Sequence, residues 1–181
     1  DVGVLGDFLA RGTGLAASTN VPATWDAAGA GIAWKLPSPA PGVRSPILWN
    51  DHVYFSGGDA TAHAVFCFDL KTGQQVWKQP VAVPGSPNPP PEIPESSGIA
   101  ASPMAADGRR VYAFFANGDL AAFTLDGKAA WSKSFGALKN AYGHATSLVT
   151  WRDRLIVQLD QGEAEENKSK LYALDGRTGA V

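Results

Sequence analysis

FCFDLKTGQQVWK, Phe66 to Lys78, is written again as AAFTLDGKAAWSK from Ala121 to Lys133, and a third time as LYALDGRTGAV from Leu171 onward. Each copy is an alternating apolar run, a polar turn ending in Gly, and a second apolar run. In the two complete copies a Trp stands four residues past the Gly: Gly73 leads to Trp77 and Gly127 to Trp131. By the same spacing Gly179 points to a Trp at a position beyond Val181. The chain therefore reads as cut inside its own repeat, an N-terminal fragment of about three units.

A second phrase precedes each copy. SPILWNDHVYFSGG begins at Ser45, SPMAADGRRVYAFFANG at Ser102 and SLVTWRDRLIVQLDQG at Ser147. All three read as strand, tight polar turn, strand, with turns at Asn50-Asp51, Asp107-Gly108 and Arg152-Asp153. Asp-Gly is a strong hairpin signal because it tolerates positive φ. Trp49 and Trp151 stand just before the first and third turns, whereas the second has Ala106.

Joined, the two phrases give four antiparallel strands in succession. The start positions are 57 and then 45 residues apart. A unit of about 40–50 residues with four short strands is the signature of a β-propeller blade. The fold expected is all-β: a propeller of four-stranded antiparallel blades, partial and open. Alternation at Val53 and Phe55, and at Val111, Ala113 and Phe115, suits blades packed face to face.

The division that follows is an N-terminal segment at 1–44 and three units at 45–99, 100–146 and 147–181, the last incomplete. Within the first segment, residues 31–37 read as an orphan outer strand, with Trp34 in WKLP matching Trp77 in WKQP. A closed propeller uses such a strand to complete its last blade and so removes its sheet edges. Residues 79–99 hold seven of the thirteen prolines. They read as a surface inter-blade loop, with a polyproline ligand for an aromatic groove as the alternative. Residues 160–170 form a second insertion, between the second and third strands of the last unit, expected on the opposite rim.

Composition narrows the function classes. An apolar fraction of 45 % with 18 % charged residues suits a folded core. A net charge of −2 with scattered Lys and Arg gives no reason to expect nucleic acid. No apolar run approaches the roughly 18 residues of a membrane-spanning helix. The single cysteine, Cys67, excludes an internal disulfide and reads as a buried, inert thiol.

The phrase YALDxxTGxxxW, carried by LYALDGRTGAV and FCFDLKTGQQVWK, resembles the tryptophan-docking repeat of the quinoprotein-type (PQQ-like) eight-bladed propellers. That resemblance implies that Asp69, Thr72, Gly73 and Trp77 tie blades together in the first copy. It implies the same for Gly127 and Trp131 in the second, which is one residue shorter and has lost the Asp-Thr pair. In the third copy Ala173, Asp175, Thr178 and Gly179 match, and Trp34 of the orphan N-terminal strand corresponds to Trp77. The opening, ARGTGLAASTNVPATWD followed by IAWKLP, looks like that of bacterial secreted proteins with such repeats. The docking residues are read as structural: Trp offers a flat apolar area between blades and Gly permits the turn that aims it.

Chemistry is sparse beside this. Gly12-Thr13-Gly14 superficially fits a dinucleotide fingerprint but lacks the strand and βαβ context. His52, His63 and His144 do not form a ligand-like pair. Asp160, Glu163, Glu165 and Glu166 match no calcium loop and read as a solvated rim. No catalytic or metal-binding residue is assigned.

Two functions compete under the resemblance. One is a non-catalytic binding or scaffold propeller, periplasmic or extracellular, similar to outer-membrane assembly propellers. Its partners would be another protein and the remaining blades of its own chain, with no nucleic acid and no membrane span. The other is the N-terminal part of a dehydrogenase of alcohols or sugars that needs pyrroloquinoline quinone and calcium, both possible only in the full-length propeller. The alcohol-oxidising relatives carry an adjacent cysteine pair over the quinone, whereas here Cys67 is followed by Phe68. A lectin-like glycan-binding β domain is a third, weaker reading.

Overall fold

The structure is a computed structural model that describes residues 23–26, 28–42, 45–59, 61–86, 98–100, 102–140 and 143–181. The Gly12-Thr13-Gly14 stretch and most of the proline-rich run, residues 87–97, lie outside the described residues.

Three antiparallel sheets follow one another along the chain. The first contains β1 (Ile47–Trp49), β2 (His52–Gly58), β3 (His63–Asp69) and β4 (Gln75–Val81), paired in that order. The second repeats the order with β5 (Ala105–Ala106), β6 (Arg110–Phe114), β7 (Asp119–Thr124) and β8 (Ala129–Ser134). The third has β9 (Val149–Trp151), β10 (Arg154–Leu159) and β11 (Lys170–Asp175), with a single 3-10 turn at Ala164–Glu166. This is the strand-by-strand order of propeller blades, three in succession.

The hairpin turns set the register. Trp49 pairs with His52 around Asn50-Asp51, and Trp151 with Arg154 around Arg152-Asp153. Asn50 and Arg152 both take positive φ, 52° and 54°. A register slip occurs in each complete docking unit, between Cys67 and Phe68 and between Ala122 and Phe123. Such a bulge sharpens the twist of the outer strand that carries the Trp. Over 31–37 there is no assigned strand, because that segment has no ladder to join. Pro80 sits within β4, opposite Ala64, on an edge strand where its missing N–H is tolerated.

Most of the core lies between blades, in two layers, with a smaller cluster of Ala64, Phe66 and Phe68 on the far face of the first blade. Ile47, Tyr54, Val65 and Cys67 of the first blade meet Ala106, Val111, Ala113 and Phe123 of the second. Tyr112, Phe114, Leu120 and Ala122 of the second meet Leu155, Val157, Leu159 and Leu174 of the third. Strict alternation is thus too simple for the middle blade. Val111, Tyr112, Ala113 and Phe114 are all fully buried, because that blade has a neighbour on each side. On the far face of the first blade, Phe55 stacks on Phe66 and Phe68 at 5.8 and 5.2 Å. On the far face of the third, Val149, Trp151 and Leu171 are exposed.

The insertion at 160–170 does not lie opposite the inter-blade connectors. Antiparallel alternation puts the β4–β5 and β8–β9 connectors on the same rim as the β2–β3, β6–β7 and β10–β11 loops. Gly162 N–H accordingly donates to Lys139 O at 2.7 Å, and Ser86 Oγ to Asp119 Oδ2 at 2.7 Å. The hairpin turns and the docking turns share the other rim, where Leu70 N–H donates to Asp51 O and Gly176 N–H to Asp153 O, both at 2.8 Å.

Candidate functional site

One contact recurs three times across the chain. Trp34 lies on Gly73, and its Nε1–H donates to Leu70 O at 2.8 Å. Trp77 of the first blade lies on Gly127 of the second and donates to Leu125 O at 3.0 Å. Trp131 of the second blade lies on Gly179 of the third and donates to Gly176 O at 2.9 Å. The indole of one unit thus seats on the docking turn of the next. The three glycines have φ of 70°, 89° and 72°, and a Cβ on any of them would fall within 3 Å of an indole atom. Both the backbone conformation and the close approach require Gly there.

The turns themselves are held by side chains. Asp69 Oδ1 accepts from Lys71 N–H (3.0 Å), Thr72 N–H (2.7 Å) and Thr72 Oγ1 (2.8 Å). Asp175 Oδ1 repeats this with Arg177 N–H, Thr178 N–H and Thr178 Oγ1 at 2.9, 2.9 and 3.1 Å. The Thr72 bonds hold the Asp69 carboxyl below its usual range. Partial burial raises that of Asp175, but the Thr178 bonds outweigh it and leave it lowered.

In the second copy the Asp-Thr pair is reversed, not lost. Thr124 occupies the place of Asp69, and its hydroxyl bonds the Asp126 carboxylate across a turn one residue shorter. Lys128, 2.8 Å from Asp126 Oδ2, and then Thr124 hold that carboxyl down to about 2. The sequence signal was present as Thr-Leu-Asp-Gly, read backwards relative to Asp-Leu-Lys-Thr-Gly. Among the described residues Ala173 meets no docking turn; it is exposed in β11, opposite Ile156.

Two inter-blade contacts have no counterpart in the docking phrase. The Trp49 ring lies against Gly108 in the hairpin turn of the next blade, 2.7 Å from where a Cβ would stand. Between the second and third blades, where Ala106 replaces that Trp, Tyr112 takes over. Its hydroxyl donates to Asp107 Oδ2 at 2.6 Å and lies 3.1 Å from Gly176 O. A Trp before one hairpin turn and Ala before the next was the legible sign of this exchange.

The titratable groups beyond the turns are mostly packed. Burial pushes the Cys67 thiol up to about 12. His63 stacks on Phe115 at 4.8 Å, and burial lowers its pKa. His144 is buried edge-on against Phe114 at 4.2 Å, with its imidazole pushed down to about 4 by burial. On the rim insertion, Glu166 takes Lys139 Nζ at 2.9 and 3.1 Å and Lys168 Nζ at 2.9 Å, which hold its carboxyl down to about 2. Its charge is thus satisfied by lysines.

A profile of the family described as outer membrane protein assembly factor BamB matches residues 11–147 and again 63–181. The chain belongs to that family. No curated protein matches this BamB-family chain by sequence. Solved structures share its fold. A europium-containing methanol dehydrogenase is 17 % identical over 82 % of this chain and 25 % of its own, with a TM-score of 0.57. BamB from Moraxella catarrhalis is 18 % identical over 82 % of this chain and 40 % of its own, TM-score 0.52. A quinohemoprotein alcohol dehydrogenase from Comamonas testosteroni is 20 % identical over 77 % and 21 %, TM-score 0.51. At these identities the likeness is one of fold, and the BamB-family chain spans well under two thirds of each of these structures.

The quinoprotein-type repeat raises the question of quinone and calcium. Among the described residues, no three or more His, Cys, Asp or Glu side chains converge where an ion could be held. Calcium needs several oxygens at once, and the carboxylates of the docking turns are already taken by backbone N–H groups.

Proposed function

We propose that this chain is part of a non-catalytic propeller, a binding scaffold exported to the periplasm or cell exterior, whose partner is another protein. The observation that carries the reading is the use made of the repeated phrase. Trp77, Trp131 and the turns they meet join one blade to the next, Trp34 joins the N-terminal segment to the first blade, and the described residues assemble no acid–base pair, nucleophile or ion site beside them. The family match to an outer-membrane assembly factor supports the same reading. The docking residues Asp69, Thr72, Gly73, Trp77, Gly127, Trp131, Asp175, Thr178 and Gly179 are proposed as inter-blade staples. The units 45–99, 100–146 and 147–181 are proposed as successive blades, with residues 1–44 supplying the outer-strand Trp34.

Further blades of the full-length protein are the proposed cover for the exposed face of β9, β10 and β11. Trp151 stands where Trp49 stands in the first blade, and Trp49 meets a glycine of the next hairpin turn.

The test adds pyrroloquinoline quinone and calcium to the full-length protein and follows dye reduction with alcohols and sugars. The scaffold reading expects neither stoichiometric quinone binding nor turnover. Tight binding with turnover would replace it by the dehydrogenase reading.

A further inference from the structure

We propose that the cleft between the hairpin turns of the second and third blades binds an acidic polypeptide segment. This rests on the binding-scaffold reading and names a surface and a partner chemistry for it.

The cleft has a volume of about 550 Å³ and is lined by Arg109, Arg110, Arg152 and Arg177 together with Asp107, Asp153 and Asp175. Four cations against three acids is a small excess by count, but two of the acids, Asp107 and Asp175, are engaged by hydrogen bonds. Asp107 accepts from the backbone N–H groups of Arg109 and Arg110 at 2.8 and 2.7 Å and from Tyr112, and pairs with the Arg110 guanidinium at 3.5 Å. Asp175 is taken up by its own docking turn. Asp153 lies 3.7 Å from Arg154. Arg109, Arg152 and Arg177 make no side-chain ion pair among the described residues. These three arginines thus line the cleft without a carboxylate at ion-pair distance.

Arg152 carries a second sign. It takes a φ of 54° in a two-residue turn, where the first blade places Asn50 at 52°. Asn adopts that region readily, and Arg does not. Its guanidinium lies over the Trp151 ring at 4.4 Å, which fixes a long side chain beside the cleft. An arginine has been accepted where the backbone prefers Asn.

The chemistry favours carboxylates carried on a peptide. Guanidinium groups take carboxylates in two-point hydrogen bonds, and the three without an ion pair are interspersed with Asp153 and Asp175 along the cleft. Carboxylates spaced along a peptide can meet them singly. A run of phosphates would bring its charge against those aspartates.

The probe is a fluorescein-labelled decapeptide of alternating Glu and Gly, titrated into the full-length protein at 50 mM and 300 mM salt. Saturable binding that weakens about tenfold with salt is expected. The triple variant R109Q/R152Q/R177Q should bind at least tenfold more weakly. Arg152→Asn alone should also bind more weakly while unfolding in urea at no lower concentration than the parent, an opposition that a purely structural arginine would not produce. Absence of saturable binding, equal affinity in the triple variant, or displacement by inorganic phosphate as effective as by unlabelled peptide would overturn the proposal. Quinone binding is read separately, so failure here leaves the scaffold reading standing.

Discussion

Gly127 shows how much one residue carries. Its φ of 89° and the Trp77 indole above it each exclude a side chain. Gly127→Ala is therefore expected to destabilise by more than the roughly 1 kcal/mol of a positive-φ alanine alone, read as a lower urea midpoint. Trp77→Phe keeps the flat contact but leaves Leu125 O without its donor, an expected loss of about 1 kcal/mol. His144 makes a different prediction. Its ordinary pKa of 6.5 falls to about 4 in the fold, so the imidazole is neutral when folded. That contribution is complete above pH 6.5 and is lost as the pH falls through about 4, because the unfolded chain takes up the proton first. At about 1.4 kcal/mol per pH unit the loss is roughly 3 kcal/mol. Stability against urea measured from pH 7 to 4 should fall less steeply in His144→Phe; an unchanged slope would remove His144 from the account.

At the scale of elements, the hairpins divide into those that meet a following blade and, among the described residues, one that does not. Trp49 is part-buried against Gly108, whereas Trp151, in the matching position, is 59 % exposed. Trp49→Ala should cost about 2–4 kcal/mol, and Trp151→Ala under about 0.5 kcal/mol in the 181-residue chain. Equal losses would mean that position in the hairpin, not contact with the next blade, sets the cost. Strand order, the hairpin turns and the Trp–Gly spacing were readable because they depend on local pattern, period 2 and turn chemistry. Burial of both faces of β6 was not, because it depends on what stands either side. The rim of the 160–170 insertion follows from strand direction, which spacing alone leaves unstated. The reversed Thr124–Asp126 pair was hidden by its one-residue shortening.

At the scale of the whole molecule, the two larger buried clusters lie between successive blades, so stability should be shared through the inter-blade staples. The most direct test is a double-mutant cycle across a blade boundary, with Trp77→Ala, Gly127→Ala and both together, each followed by urea unfolding. If the indole of one blade is seated on the turn of the next, Gly127→Ala costs less once Trp77 is gone, with a coupling of about 1–2 kcal/mol. Strict additivity of the two substitutions would contradict the account.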